Sequence, residues 1–205
     1  MRTNRRKMIR NIRSLPTSYE RLEYIENTST AYIDCGLKPK HTFDYEIKTN
    51  AVTGNVVFGT SFSNETTDYR FFCTNNKRLY FDVGYGRILA PQYATLPYHV
   101  KFGNYYIQDL DNETNKVTTI TFNETFNGAK LSNLYLLFGY GTVKGKVWLL
   151  KINDNGKPIR DFIPAKRKSD GTIGMYDLVG RKFYTSPNGV AFSGGVKIII
   201  KDRLL

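Results

Sequence analysis

The sequence is poor in the residues that metal centres, disulfide frameworks and nucleophilic active sites require. Among 205 residues it has two cysteines, two histidines and one tryptophan. Two isolated cysteines, Cys35 and Cys73, cannot form a zinc site without two further ligands, and they favour free strand-borne thiols over a bridge. His41 and His99 are far from both cysteines in sequence, and no Gly-x-Ser-x-Gly motif occurs. The sequence therefore implies no cofactor and no nucleophilic site.

Long hydrophobic runs are also missing. The longest, Leu134–Phe138 and Val196–Ile200, have the length of a strand, whereas a membrane-spanning helix needs about 20 apolar residues. No apolar segment follows the charged N-terminus, so the sequence predicts no secretory signal. We expect export, if it occurs, to be by lysis or as part of a particle.

Positive charge is in excess and is concentrated at one end. The formal net charge is +12, and residues 1–13 supply half of it because they carry six basic residues and no acid. We call residues 1–14 the basic arm and predict one folded domain over residues 15–205. The basic residues of the arm are Arg2, Arg5, Arg6, Lys7, Arg10 and Arg13.

Three interpretations fit the basic arm. It docks on another protein with an acidic surface, it binds nucleic acid phosphates, or it is a solubilising tail without a partner. Met8, Ile9 and Ile12 have the spacing of one helix face, which would make a short basic amphipathic anchor. Aromatic residues, which stack on unpaired bases, are absent from the arm. Their absence favours protein over nucleic acid as the partner.

The rest of the chain is rich in strand-forming residues. It has 15 Tyr and 13 Phe, and both residue types favour strands. In one clear example, Phe43, Tyr45 and Ile47 alternate with Asp44, Glu46 and Lys48, which predicts a half-buried strand. About a dozen such segments, spaced by roughly 8–12 residues and separated by turn residues, predict an all-β sandwich or barrel.

Several local features refine this prediction. Asn75-Asn76-Lys77 predicts a hairpin turn, and Gly84, Gly86 and Pro91 predict a break in strand structure after Val83.

Near the C-terminus, Pro164 predicts a sheet edge and Gly174 predicts a close approach of a neighbouring backbone or ring. Arg160 with Asp161, or Lys166 with Asp177, are the candidate ion pairs across these strands.

Two groups of motifs lie at the ends of the predicted domain. The first is Leu22-Glu23-Tyr24-Ile25-Glu26 followed by Tyr32-Ile33-Asp34-Cys35-Gly36. The second comprises Arg160-Asp161-Phe162-Ile163-Pro164, Arg167-Lys168-Ser169-Asp170-Gly171, Gly174-Met175-Tyr176-Asp177 and Lys182-Phe183-Tyr184. In combination they resemble the opening and closing strands of LamG-like, concanavalin A-like jelly-roll domains of bacteriophage and gut-bacterial proteins. The resemblance covers residues 20 to about 194. It departs from the usual pattern at Cys35, where the family usually has threonine.

This resemblance implies a two-sheet antiparallel jelly-roll sandwich without a catalytic set. In phages such domains resemble parts of the virion, namely decoration, fibre or tail proteins. In bacteria they resemble surface modules that bind glycans or proteins.

Candidate chemistry in the body of the chain is sparse. The candidate carboxylates for glycoside cleavage are Asp44 with Glu46, and the set Asp109, Asp111 and Glu113. The alternation of Asp44 and Glu46 with apolar residues favours the solvent face of a strand instead. A weak calcium candidate is formed by Asp109, Asp111 and Glu113, although the turn lacks the glycine and distal glutamate of an EF-hand. Two further candidates for an exposed ligand platform or interface are Tyr85 and Tyr140, each flanked by glycines.

The sequence therefore predicts a non-enzymatic structural or interaction protein. We expect a bacteriophage virion component that is held by its basic arm to other virion proteins, as a homo-oligomer or within a larger assembly. The alternative is a carbohydrate-binding module that attaches to a host or to mucus, at a virion or bacterial surface.

Overall fold

The computed structural model describes residues 14–52, 56–60, 69–83, 86–93, 95–103, 106–111, 117–119, 132–137 and 143–198. These residues form two antiparallel β-sheets packed as a sandwich, which confirms the predicted all-β class. No helix in this part of the chain is long and apolar enough to span a membrane.

The strands are numbered in chain order across both sheets. They are β1 (Tyr19–Arg21), β2 (Ile25–Asn27), β3 (Ile33–Asp34), β4 (Phe43–Thr49), β5 (Phe58–Gly59), β6 (Tyr69–Cys73), β7 (Arg78–Val83), β8 (Gly86–Tyr93), β9 (Tyr98–Gly103), β10 (Tyr106–Asp109), β11 (Val117–Thr119), β12 (Tyr135–Leu136), β13 (Gly145–Asp154), β14 (Lys157–Arg167), β15 (Ile173–Asp177), β16 (Lys182–Tyr184) and β17 (Ser193–Gly194).

The larger sheet has the strand order β11-β10-β9-β4-β13-β14-β15-β16. Three short strands, β1, β2 and β17, extend it. β1 pairs with the end of β14, and β2 lies between β13 and β17. The smaller sheet has the order β3-β12-β5-β6-β7-β8. Each sheet thus contains strands from distant parts of the chain, and the fold depends on long-range pairing.

The hydrophobic core lies between the two sheets and is built largely from aromatic rings. Phe102 of the larger sheet stacks on Phe71 of the smaller one, with ring centroids 4.4 Å apart. The Tyr69 hydroxyl crosses the same gap and donates a 2.9 Å hydrogen bond to the Tyr45 hydroxyl. Burial raises the pKa of both phenols, so both remain protonated. Each fully buried ring contributes about 1.5–3 kcal/mol through the hydrophobic effect, and the shared hydrogen bond fixes how the sheets align.

The C-terminal motifs form a long strand, β14, then a turn, strand β15, a second turn and the short strand β16. Phe162 packs in the main core, whereas its neighbour Ile163 faces the opposite side of β14. There it belongs to a second apolar cluster on the outward side of the larger sheet, together with Ala165, Tyr176, Leu15, Tyr19, Leu178 and Phe183. β14 is therefore covered on both faces.

A buried ion pair holds the turn between β15 and β16. Asp177 is fully buried, and its Oδ1 accepts hydrogen bonds from the backbone N–H groups of Asp161 and Val179, each at 3.0 Å. Its Oδ2 lies 3.5 Å from Arg160 Nε. The sequence predicted different pairs here. Phe162 on β14 lies directly opposite Asp177 on β15. Arg160, two residues before Phe162, is therefore a diagonal neighbour of Asp177 on the same face of the sheet. Arg160, and not the predicted Lys166, is the partner of Asp177.

Two other local predictions were wrong, and a third was confirmed. Residues after Val83 form strand β8 despite Gly86 and Pro91, because β8 ends the smaller sheet's strand order, where a missing N–H donor is tolerated. Pro164 lies inside the larger sheet, since Leu22 donates its N–H to the Pro164 carbonyl at 3.0 Å while β15 pairs on the other side. The hairpin after Cys73 forms as predicted, but Lys77 adopts the left-handed conformation.

Candidate interaction surfaces

Most of the residues that the sequence singled out as sites lie outside the described residues. This applies to the arm's basic residues up to Arg13, to Tyr85 and Tyr140, and to Glu113. Of the calcium candidate, Asp109 and Asp111 lie among the described residues. Asp109 Oδ1 accepts the backbone N–H of Asp111 at 3.0 Å and closes a turn. Within the described part of the chain, no three histidine, cysteine, aspartate or glutamate side chains are grouped to hold a metal ion.

Both cysteines are buried and free, as the sequence favoured. Burial raises the pKa of the Cys35 thiol and raises that of Cys73 to about 11. The thiolate is the reactive form of cysteine, so at neutral pH both side chains act as small apolar groups of the core.

The outward face of the larger sheet is a ladder of ion pairs. Glu46 lies at its centre, where its Oε1 is 2.9 Å from Lys151 Nζ on β13 and 2.9 Å from His99 Nε2 on β9. One step along β4, Asp44 Oδ1 accepts a 2.7 Å hydrogen bond from the Asn153 amide and lies 3.7 Å from Lys101 Nζ.

These contacts make Glu46 unsuitable as the proton donor of a glycosidase pair. Partial burial raises the pKa of Glu46, but the hydrogen bonds from Lys151 and His99 outweigh it and leave the pKa below its ordinary value. The general acid of a glycosidase is a carboxylic acid whose pKa is raised so that it can donate a proton. Glu46 is shifted in the opposite direction, and its contacts tie it to the neighbouring strands on the outward face of β4.

The same shift gives a testable pH dependence. Because the pKa of Glu46 is lowered in the folded state, its stabilising contribution is complete above about pH 4.5 and is lost as the pH falls through the folded pKa. We expect Glu46→Gln to lose less stability than the wild type between pH 5 and pH 3, as measured by urea unfolding at each pH. The exposed Glu23→Gln is the matched control. Parallel pH profiles for wild type and Glu46→Gln would contradict the assignment.

The outward face of the smaller sheet is different in composition. Phe72 and Tyr80 are direct cross-strand partners on β6 and β7, and their rings stack at 5.0 Å with an interplanar angle of 8°. Phe72 lies on the opposite side of β6 from Phe71, yet it is only 6% exposed and belongs to the cluster of buried core residues. Two guanidinium groups contact it as well, since Arg70 and Arg87 lie 5.3 and 5.7 Å from its ring centroid.

Asp82 holds these two arginines in place. Its Oδ2 accepts a 2.8 Å hydrogen bond from Arg70 Nε, and its two oxygens accept bonds of 2.6 and 3.0 Å from Arg87. The Asp82 side chain is 6% exposed, whereas the Arg87 side chain is 53% exposed and also covers the Tyr80 ring at 5.2 Å. Bidentate arginine–carboxylate pairs fix geometry as well as charge. The result is a rigid layer of guanidinium groups over an aromatic pair.

Sequence reasoning missed this surface. The sequence signal for it is the presence of charged and aromatic residues at alternate positions of adjacent strands, where lysine or threonine would be usual. Examples are Arg70-x-Phe72 and Tyr80-x-Asp82. Its recognition also required the pairing of β7 with β8, which brings Arg87 opposite Asp82.

Comparisons of the chain with models of known protein families, with curated proteins and with solved structures find no match.

Proposed function

We propose that this chain is a non-enzymatic structural or interaction protein, specifically a bacteriophage virion component with a concanavalin A-like jelly-roll body. The basic arm anchors it to an acidic surface of a neighbouring virion protein. The support for the jelly roll is the pair of end motifs in an antiparallel sandwich: β2 and β14 to β16 lie in the larger sheet, and β3 lies at one end of the smaller sheet.

The observation that carries the proposal is the firm attachment of the residues that directly follow the arm. Leu15 and Tyr19 pack into the second apolar cluster, and the Tyr19 ring lies 4.9 Å from Tyr176 and 5.2 Å from Phe183. The Ser18 carbonyl accepts the Lys168 N–H at 3.0 Å. A segment with six positive charges and no acid thus joins the body at a fixed point on the closing strands. An anchor of this kind transmits load from its docking site to a rigid domain.

The state of the outward carboxylates supports binding rather than turnover. Asp44, Glu46 and Asp82 are each tied to cationic or amide groups on neighbouring strands. Such pairing of opposite charges across neighbouring strands stabilises strand order.

The test is a pull-down with three full-length proteins. The first is the wild type, and the second has the six basic residues of the arm replaced by glutamine. The third is a control of equal charge change, in which six exposed body lysines become glutamine: Lys38, Lys40, Lys77, Lys144, Lys157 and Lys168. Each is incubated with a lysate of the source at about 0.1 M and about 1 M salt, because the Debye length falls from about 10 to about 3 Å over that range.

We expect the wild type and the body control to capture a virion structural protein, identified by mass spectrometry, at low salt only. The arm-neutralised protein should capture much less of it. Equal capture by all three proteins would refute the arm as the anchor. Equal capture of a glycan by all three would instead favour the carbohydrate-binding alternative.

A further inference from the structure

Asparagine followed by glycine is chemically unstable in proteins, because glycine has no side chain to hinder attack by its own backbone nitrogen on the asparagine side chain. The sequence contains three such pairs: Asn127-Gly128, Asn155-Gly156 and Asn188-Gly189. The first lies outside the described residues. Both of the others are exposed, so exposure does not distinguish them, whereas their hydrogen bonds do.

The Asn155-Gly156 pair forms the two-residue turn between β13 and β14. The φ angles of Asn155 and Gly156 are 49° and 73°, the left-handed values that a type I′ turn requires. The Asn155 side chain makes one hydrogen bond, from Nδ2 to Asp154 Oδ1 at 3.1 Å. Within the described part of the chain the Gly156 N–H has no acceptor, and no atom beyond its chain neighbours lies within 4 Å of an added Cβ. The nitrogen that would attack is therefore unpaired, and a single bond restrains the side chain that it would attack.

The Asn188-Gly189 pair is held at every group that the same reaction would use. Asn188 Oδ1 accepts hydrogen bonds from Ser186 Oγ at 2.6 Å and from the Val190 N–H at 3.1 Å. Asn188 Nδ2 donates to the Thr30 carbonyl at 2.8 Å. The Gly189 N–H donates to the Ser186 carbonyl at 3.3 Å. The Asn188 side chain cannot turn towards the Gly189 nitrogen unless several of these bonds break.

We propose that Asn155 is a site of spontaneous deamidation in the folded chain, and that Asn188 is protected from it. The Gly156 nitrogen attacks the side-chain carbon of Asn155. The side-chain amino group and the N–H proton leave together as ammonia, and a cyclic succinimide remains. Water then opens this ring at one of its two carbonyl groups, so each event consumes one water and releases one ammonia. The products are aspartate and isoaspartate, in which the backbone runs through the former side chain.

The two products differ in their effect on the turn. Aspartate tolerates the left-handed conformation as asparagine does, so this product keeps the turn and adds one negative charge beside Asp154. Isoaspartate lengthens the backbone by one carbon inside a two-residue turn, and the length of such a turn fixes the register of its strands. β13 and β14 are neighbours within the larger sheet, so the isoaspartate form is less stable. This inference is independent of the function of the basic arm.

The test is incubation of the full-length protein in mildly alkaline buffer, with and without urea, followed by digestion with trypsin. Mass spectrometry of the peptides 152–160 and 183–197 gives the rate of deamidation at each site. The wild type is compared with Gly156→Ala, which hinders the attacking nitrogen, and with Ser186→Ala, which removes one bond to Asn188. Circular dichroism confirms that each variant is folded. Ion exchange separates the modified wild-type protein, and the melting temperatures of its fractions are measured.

We expect Asn155 to deamidate at least about tenfold faster than Asn188 in the folded chain, equivalent to about 1.4 kcal/mol in activation free energy. In urea the two rates should become similar, because both residues precede glycine and the hydrogen bonds are lost. Gly156→Ala should slow the reaction at Asn155 only, and Ser186→Ala should accelerate it several-fold at Asn188 only. The fraction that contains isoaspartate should melt at a lower temperature than the unmodified protein.

Equal rates at Asn155 and Asn188 in the folded chain would overturn the proposal, because hydrogen bonding would then not select the site. Deamidation of Asn155 in urea but not in the folded chain would also overturn it, since the turn itself would then protect the residue. A folded Ser186→Ala variant with an unchanged rate at Asn188 would refute the protection assigned to the hydrogen bonds of Asn188.

Discussion

Replacing Asp177 by alanine is expected to lower the free energy of unfolding by about 3–5 kcal/mol, the range found when one partner of a buried ion pair is removed. The change leaves Arg160 without its anion and removes the acceptor of the Asp161 and Val179 N–H groups. A buried donor that loses its acceptor costs about 1–3 kcal/mol by itself. The measurement is urea unfolding of the wild type and the variant at neutral pH.

The matched control for this change is Asp170→Ala in the preceding turn. Asp170 also pairs with an arginine, Arg167, and accepts a backbone N–H, but its side chain is 44% exposed. Solvent competes with such a pair, so we expect a much smaller loss of stability. If the two alanine variants were equally stable, burial of the Asp177 pair would not be what holds the closing strands.

Replacing Gly174 by alanine is expected to destabilise the protein by about 2–3 kcal/mol, at the upper end of typical overpacking effects. A Cβ atom at this position would lie 2.1 Å from the Tyr184 carbonyl oxygen and 3.0 Å from the Phe183 ring. The carbonyl belongs to the backbone of β16 and cannot rotate away, so β15 and β16 would have to separate. Thermal or urea unfolding measures the effect.

Gly36→Ala separates this steric effect from the conformational cost of losing a glycine. Gly36 has a positive φ of 64°, but no atom lies within 4 Å of the position of an added Cβ. Its replacement should therefore cost only the backbone strain of roughly 1–2 kcal/mol. A Gly174→Ala variant that is more stable than Gly36→Ala would show that β16 gives way easily and would contradict the close contact.

The sequence predicted the fold class because the physical signals were local. In β4 the alternation of Phe43, Tyr45 and Ile47 with polar residues has the period of a strand with one buried face, and that strand lies centrally in the larger sheet. The close approach predicted at Gly174 is confirmed by the Tyr184 carbonyl. Signals of this kind require no knowledge of which strands are neighbours.

Predictions that depended on partners were less successful. Pro164 indicated a sheet edge, yet the Pro164 carbonyl accepts a hydrogen bond from the Leu22 N–H, so β14 has a neighbour on that side. The pair of Arg160 with Asp177 depends on the register between β14 and β15, which no local pattern shows. The sequence therefore locates individual strands, but it does not show which strands pair or which side chains contact one another.

The candidate sites show the same division. The charge of the basic arm is visible in composition alone, whereas the cluster of Arg70, Phe72, Tyr80, Asp82 and Arg87 depends on strand pairing. In β6, Phe71, Phe72 and Cys73 form a continuous apolar run, so the sequence does not show that Phe72 points outward. Arg87 lies directly across from Asp82 because β7 pairs with β8, and the sequence did not predict a strand at β8.

The most direct test of the proposed function is quantitative mass spectrometry of purified particles from the source, with wild-type chain or with the arm-neutralised chain. We expect a fixed copy number of the wild-type chain per particle after washing, and a marked loss of copies when the six basic residues of the arm are replaced by glutamine. A wild-type chain that remains in the soluble fraction, with no particle carrying it, would contradict the proposal that the chain is a virion component.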